Sequence, residues 1–95
     1  MDTLLKDLVE QLQKVRDPET DRLLSESNII LEISRVDDET IRVVYSPFSP
    51  ASPVAVDLGR RIRKAVSEVA ASYKIQVVCV GHLLDDLVNR LLEQD

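Results

Sequence analysis

Cysteine, glycine, aromatic residues and positive charge are all scarce in this chain of 95 residues. The one cysteine, Cys79, forms no internal disulfide, and a single thiol does not by itself supply a zinc or iron–sulfur site. The two glycines, Gly59 and Gly81, lie too far apart for a glycine-rich phosphate loop. No Gly-x-Ser-x-Gly nucleophile motif is present. Tryptophan is absent, and Tyr45, Phe48 and Tyr73 are too few and too separated to make a base-stacking platform. Lys and Arg number 12 against 17 Asp and Glu, a net charge of -5, which opposes phosphate binding. Nucleic acid is therefore not an expected partner. Uninterrupted apolar runs last only a few residues, too short to span a bilayer. The opening Met1-Asp2-Thr3-Leu4-Leu5-Lys6 lacks the basic-then-apolar order of a secretory signal. No membrane association and a cytoplasmic location are expected.

The composition, 44% hydrophobic and 31% charged, is that of a soluble globular domain, and the length suits a single domain over residues 1–95 with a modest core. Leu4, Leu5, Leu8, Val9, Leu12 and Val15 recur at helical spacing and predict a helix over residues 3–15, capped by Asp2 or Thr3. Pro18 disfavours helix at Asp17, and a polar loop from Asp17 to Ser27 follows. Residues 28–36 and 40–45 read as an antiparallel hairpin around the acidic turn Asp37-Asp38-Glu39, with Leu31, Ile33 and Arg35 on one face of its first strand. Three prolines within Ser46–Pro53 impose an extended loop, which could also serve weakly as a polyproline ligand.

A second helix is expected from Pro53, with Ser52 as N-cap and a stripe of Leu58, Ile62, Ala65, Val66, Val69 and Tyr73. Residues 75–80 form a third strand, apolar on both faces after Gln76 and so expected at the centre of the sheet. Gly81 ends it, and Leu84, Leu87, Val88, Leu91 and Leu92 mark a short C-terminal helix. The expected fold is α+β: two layers in the order α-β-β-α-β-α, with a small mixed sheet covered by helices on one face. The crossover through the second helix should make the third strand parallel to the second.

Ser52 stands where a loop enters a helix, a position at which exposed N–H groups and the helix dipole would depress a thiol pKa. A serine there caps the turn and stays neutral. Cys79, between Val78 and Val80 in a strand, is expected to pack in the core. Asp17 and Glu19 could form a carboxylate pair for acid–base work, but flanking a proline at a helix end they read first as turn elements.

Two stretches, Val15-Arg16-Asp17-Pro18-Glu19-Thr20 after the first helix and Phe48-Ser49-Pro50-Ala51-Ser52-Pro53 before the second, carry a resemblance. In this order, between these elements, they resemble the PaaD-like and SufT-like iron–sulfur cluster assembly domains over roughly residues 5–80. Asn28 stands where that family has glycine, a mild exchange because asparagine tolerates positive φ. The resemblance implies a site at Asp17, Pro18, Glu19, Ser49, Pro50, Ser52 and Pro53, and a role in maturing or delivering iron–sulfur clusters through protein contacts. It also places Ser52 at the family's cysteine position, so loop ligation of a cluster is not expected. The family's aromatic, proline-rich tail is replaced by Gly81-His82-Leu83-Leu84-Asp85 and a leucine-rich helix. The expectation is a non-catalytic assembly factor or adaptor with no cofactor of its own, whose partners are cluster scaffolds or apo-targets.

Other features suggest contacts. Arg60, Arg61, Arg63 and Lys64 form a basic cluster that reads as a solvated face or as a docking patch for an acidic partner. Six apolar residues within Leu83–Leu92 exceed what one buried stripe needs and suggest a homodimer through the last helix. Two alternatives remain at this level. One is a metal-binding accessory protein using His82, Asp85 and Asp86, a set short of the four ligands of a structural zinc site. The other is an RNA module, since α-β-β-α is similar to K-homology domains, although their Gly-x-x-Gly loop is missing.

Overall fold

Asp2 initiates the first helix. Its carboxylate accepts the Leu4 N–H at 2.9 Å, so α1 runs from Thr3 to Gln13, ending two residues before the expected Val15. These elements belong to a computed structural model that describes residues 2–94. Leu8 and Leu12 are buried, Leu4, Leu5 and Val15 pack against the core margin, and Val9 stays exposed. A single 3₁₀ turn at Leu24–Glu26 follows, and then β1 (Ile30–Arg35) and β2 (Thr40–Tyr45) pair antiparallel. The Val36 N–H donates to the Thr40 carbonyl at 2.9 Å, and the Asp37 carboxylate accepts the Glu39 N–H at 2.8 Å. The backbone and side-chain hydrogen bonds to Asp37 hold its carboxyl below the usual range. A register shift between Ile30 and Glu32 corrects the simple alternation: Leu31 is exposed, while Ile30 and Ile33 pack on the core.

The second helix also differs from expectation. α2 spans Ala55–Val69, starting two residues after Pro53, and Val54 takes the cap position with no side-chain bond. Ser52 instead closes a turn, its Oγ accepting the Val54 N–H at 3.3 Å. Tyr73 lies beyond the helix, where its hydroxyl accepts from Arg35 at 2.9 Å. Arg35 also binds the Asp2 carboxylate and lies 5.4 Å from the Tyr73 ring centre. The hydrogen bond to Arg35 lowers the Asp2 pKa and raises that of Arg35.

β3 (Lys74–Cys79) runs parallel to β2, pairing Ile41 with Ile75 and Tyr45 with Cys79. The sheet order is β1-β2-β3, so β2 is central and β3 is an edge, which corrects the placement of β3 at the centre. Val77 and Cys79 of β3 are buried, Val78 and Val80 are half-buried, and a helix covers the strand's outer edge. α3 (Asp85–Glu93) lies there, and the Asn89 side chain accepts the Cys79 N–H at 2.7 Å and donates to the Cys79 carbonyl at 3.0 Å. The Arg63 guanidinium donates to the Ile75 carbonyl at 2.9 Å and to the Leu92 carbonyl at 3.3 Å. The exposed edge of a sheet is thus blunted by side chains.

Ile41, Val43 and Tyr45 from the sheet meet Leu58, Ile62 and Val66 of α2 and Leu92 of α3 in the core. Burying each of the larger side chains stabilises the fold by about 1.5–3 kcal/mol relative to leaving it exposed. Among the described residues, no helix is long and apolar enough to cross a membrane.

Candidate functional site

The two motif segments fold onto one end of the molecule. Asp17, only 2% exposed, organises the first. Its Oδ1 accepts the Glu19 N–H at 2.9 Å, its Oδ2 accepts the Thr20 hydroxyl at 3.2 Å, and its backbone N–H reaches the Arg22 carbonyl at 2.8 Å. Asp21 takes positive φ (59°), and the chain reverses to pair Arg16 with Leu23. Asp17 is therefore a turn builder, with both carboxylate oxygens engaged by its own loop.

Glu19 points the other way. Its Oε2 accepts the Ser49 hydroxyl at 2.6 Å, so it joins the Asp-Pro-Glu turn to the proline-rich loop between β2 and α2. Its Oε1 is buried without a hydrogen-bond partner. Asp17 and Glu19 thus do different work and form no acid–base pair. Within the second loop the Ser52 N–H donates to the Ser49 carbonyl at 3.2 Å, and Ser52 is buried. Pro18 is half-buried in the first turn, while Pro50 and Pro53 lie exposed on the second loop.

A third loop, between β3 and α3, locks onto the second. The Leu83 N–H donates to the Pro50 carbonyl at 2.8 Å. The Leu84 N–H donates to His82 Nδ1 at 2.9 Å, which leaves the ring proton on Nε2, and Nε2–H donates to the Ser52 carbonyl at 2.9 Å. Gly81 permits the approach: its φ is +74°, and a Cβ there would stand 2.6 Å from Ser46 Oγ. The sequence marked His82 only as a metal candidate; its position two residues before Leu84 and just after a glycine was the signal for a loop clamp.

That clamp corrects the metal reading. Both His82 nitrogens face backbone groups, and among the described residues no three His, Cys, Asp or Glu side chains are grouped to hold a metal ion. Asp85 and Asp86 instead occupy the first turn of α3, where carboxylates favour the helix dipole. Cys79 is 1% exposed and opposite Tyr45 in the sheet. Burial pushes its thiol pKa up, away from the thiolate range that ligation needs. Burial likewise drives the Tyr45 phenol far above its ordinary value, and its hydroxyl donates to the Ala55 carbonyl at 2.6 Å.

The basic cluster divides. Arg63 is engaged by the Ile75 and Leu92 carbonyls, with its Nε buried and unpartnered. Arg61 pairs with Asp57 at 3.2 Å and donates to the Arg16 carbonyl at 3.1 Å. Arg60 and Lys64 are exposed with Arg61 on α2.

Comparison with known proteins places this arrangement. Residues 5–77 match the family described as iron–sulfur cluster assembly protein. The chain belongs to that family. The matched span takes in both motif turns and stops before Cys79, His82 and α3. A solved structure, a domain of unknown function (DUF59) from Bacillus anthracis, superposes with a TM-score of 0.73 at 16% identity, over 96% of this chain and 89% of that one. That likeness shows the α+β fold. No curated protein matches the chain by sequence. The K-homology reading loses its footing, since Gly59 lies inside α2 and Gly81 follows a strand, so no Gly-x-x-Gly loop joins two helices.

Proposed function

We propose that this protein serves iron–sulfur cluster assembly as a non-catalytic adaptor of the PaaD-like kind, working by protein contact and not by ligating the cluster. The observation that carries this reading is the state of its only thiol. The motif turns of the family are built and joined through Glu19 and Ser49, yet Ser52 occupies the loop and Cys79 is sealed in the sheet. An iron–sulfur cluster is held by several thiolates, and this donor set does not fit one. The cluster is then the cargo of partner proteins, a scaffold or an apo-target in the cytoplasm. Arg60, Arg61 and Lys64 offer a basic surface to such partners.

Affinity purification of the tagged full chain, followed by identification of bound proteins, tests the reading. Enrichment of a cluster scaffold or an apo-target, lost on charge reversal at Arg60 and Lys64, supports it. Specific partners with no iron–sulfur protein among them would count against an assembly role. Anaerobic reconstitution with iron and sulfide should leave the purified chain without stoichiometric iron. A stoichiometric cluster that disappears in Cys79→Ser would overturn the claim that the chain does not ligate one.

A further inference from the structure

The two edges of the sheet are finished differently. On β3, Asn89 and Arg63 engage backbone groups of the outer edge. On β1 the backbone is open. The Val36–Thr40 hydrogen bond sets the phase of the ladder, so bonded pairs fall at Val36–Thr40 and Ser34–Arg42. Ile33 and Arg35, opposite Val43 and Ile41, stand between these pairs. Their N–H and C=O groups therefore point away from β2, and among the described residues no strand or side chain meets them. Sheet edges are commonly shielded by lysine, proline or a bulge. Residues 33–36 hold neither lysine nor proline, and the register shift lies before them, between Ile30 and Glu32. The Arg35 guanidinium is drawn off to Asp2 and Tyr73. A hollow of about 280 Å³ adjoins the strand, lined by Val9, Leu12 and Gln13 of α1, by Leu24, and by Ile30 and Ile33. Unpaired edge groups select an extended main chain, and an apolar hollow beside them selects its alternate side chains.

We infer that the β1 edge at Ile33 and Arg35 receives an extended segment of a partner protein as a fourth, antiparallel strand, with an aliphatic side chain at every second residue facing α1 and the hollow. The inference deepens the adaptor reading and rests on it for the partner being a protein. A second copy of this chain fits the edge poorly. Pairing Ile33 with Arg35 of the other copy joins the outward groups of both chains, but it sets Asp37 and Asp38 opposite Leu31 and Ile30 of that copy. Two carboxylates would then lie against the hollow and close to Glu32, on chains that each carry a net charge of -5. Nearby cations do not offset them. Arg35 is held by Asp2, Arg42 donates to Gln76, and Lys6 lies toward the Asp2 end of α1, away from Ile30.

The test uses the full chain and a soluble synthetic peptide that alternates valine with threonine between terminal lysines. Fluorescence anisotropy follows binding, and hydrogen exchange read by NMR locates it. In the free chain the Ile33 and Arg35 amides should exchange fast and the Ser34 amide slowly. With the peptide bound, both fast amides should become protected. Peptide residues directly opposite Ile33 and Arg35 share their face of the sheet, so the valine amides carry the new bonds. N-methylation of the valine amides should abolish binding, and N-methylation of the threonine amides should leave it intact. Val9→Gln should weaken binding about fivefold. Its melting temperature should stay close to that of the unsubstituted chain, because Val9 is exposed beside the hollow. No added protection at Ile33 and Arg35, or any other methylation pattern, would overturn the proposal. So would a concentration-dependent dimer in sedimentation in which the same amides are protected, which assigns the edge to a second copy. A chain that binds the peptide here yet enriches no iron–sulfur protein keeps this edge and sinks the assembly role alone. Enrichment of iron–sulfur proteins by a chain that leaves the peptide unbound sinks the edge alone.

Discussion

Gly59 shows how little room the centre of this molecule leaves. A Cβ added there would stand 2.6 Å from the Tyr45 hydroxyl and 2.7 Å from a Leu92 methyl. Both neighbours are fully buried, and the hydroxyl is held by the Ala55 carbonyl, so neither can swing aside. Gly59→Ala should therefore lower stability by about 1–3 kcal/mol despite alanine's better helix propensity, as urea unfolding would measure. Cys79 and Tyr45 make a second prediction. Burial raises both pKa values in the folded state. The unfolded chain releases these protons first, so stability is complete at neutral pH and falls once pH rises above the ordinary thiol value. The slope per group reaches at most about 1.4 kcal/mol for each pH unit. Thermal unfolding between pH 7 and 11 would check it, and Cys79→Ala should remove the earlier part of the decline. A flat profile for the unsubstituted chain would contradict the assigned burial.

Between elements, the outer edge of β3 at Cys79 depends on one amide. Asn89 of α3 presents an acceptor to the Cys79 N–H and a donor to its carbonyl, much as a neighbouring strand would. Asn89→Ala leaves both groups without a partner at a half-buried place and should cost about 1–3 kcal/mol. Hydrogen exchange at the Cys79 amide should accelerate by more than the global loss of stability explains. Asn89→Asp keeps the acceptor and loses the donor, so its effect should be intermediate unless its charge, close to Asp85, adds repulsion. The joined turns make a contrasting case. Glu19 leaves one buried oxygen unpartnered while the other accepts from Ser49. Glu19→Gln can keep the Ser49 bond and removes a poorly compensated charge, so stability should hold or rise slightly. Glu19→Ala should loosen the Ser49 loop, visible as faster exchange across residues 49–54.

For the molecule as a whole, α3 is a closing element. It contributes Val88 and Leu92 to the core, Asn89 to the sheet edge and the Leu92 carbonyl to Arg63. A chain ending at Leu84 loses all of these together. It should unfold without a cooperative transition in calorimetry, whereas a retained sharp melt would show that residues 2–84 fold alone. Net charge acts at the same scale. Each molecule carries a net charge of -5, which favours repulsion between copies.

Local patterns determined most of the elements. The stripes of α1 and α2, the hairpin, the crossover that makes β3 parallel, and the two motif turns were all legible, because period and turn chemistry are properties of neighbouring residues. What escaped them were facts about neighbours distant in the chain. Apolar residues on β3 report burial but not its source, and here the source is α2 and α3 and not a further strand. Six apolar residues at the C-terminus exceeded what one buried stripe needs, but only packing decided that Val88 and Leu92 enter the core and Leu83, Leu84 and Leu87 stay exposed. A histidine near two aspartates looked like a ligand set, but its nitrogens clamp two loops that are 30 residues apart. Ser52 was legible as a neutral serine in the loop before a helix; only the tertiary structure sealed Cys79, because a cysteine's accessibility depends on which strands and helices close over it.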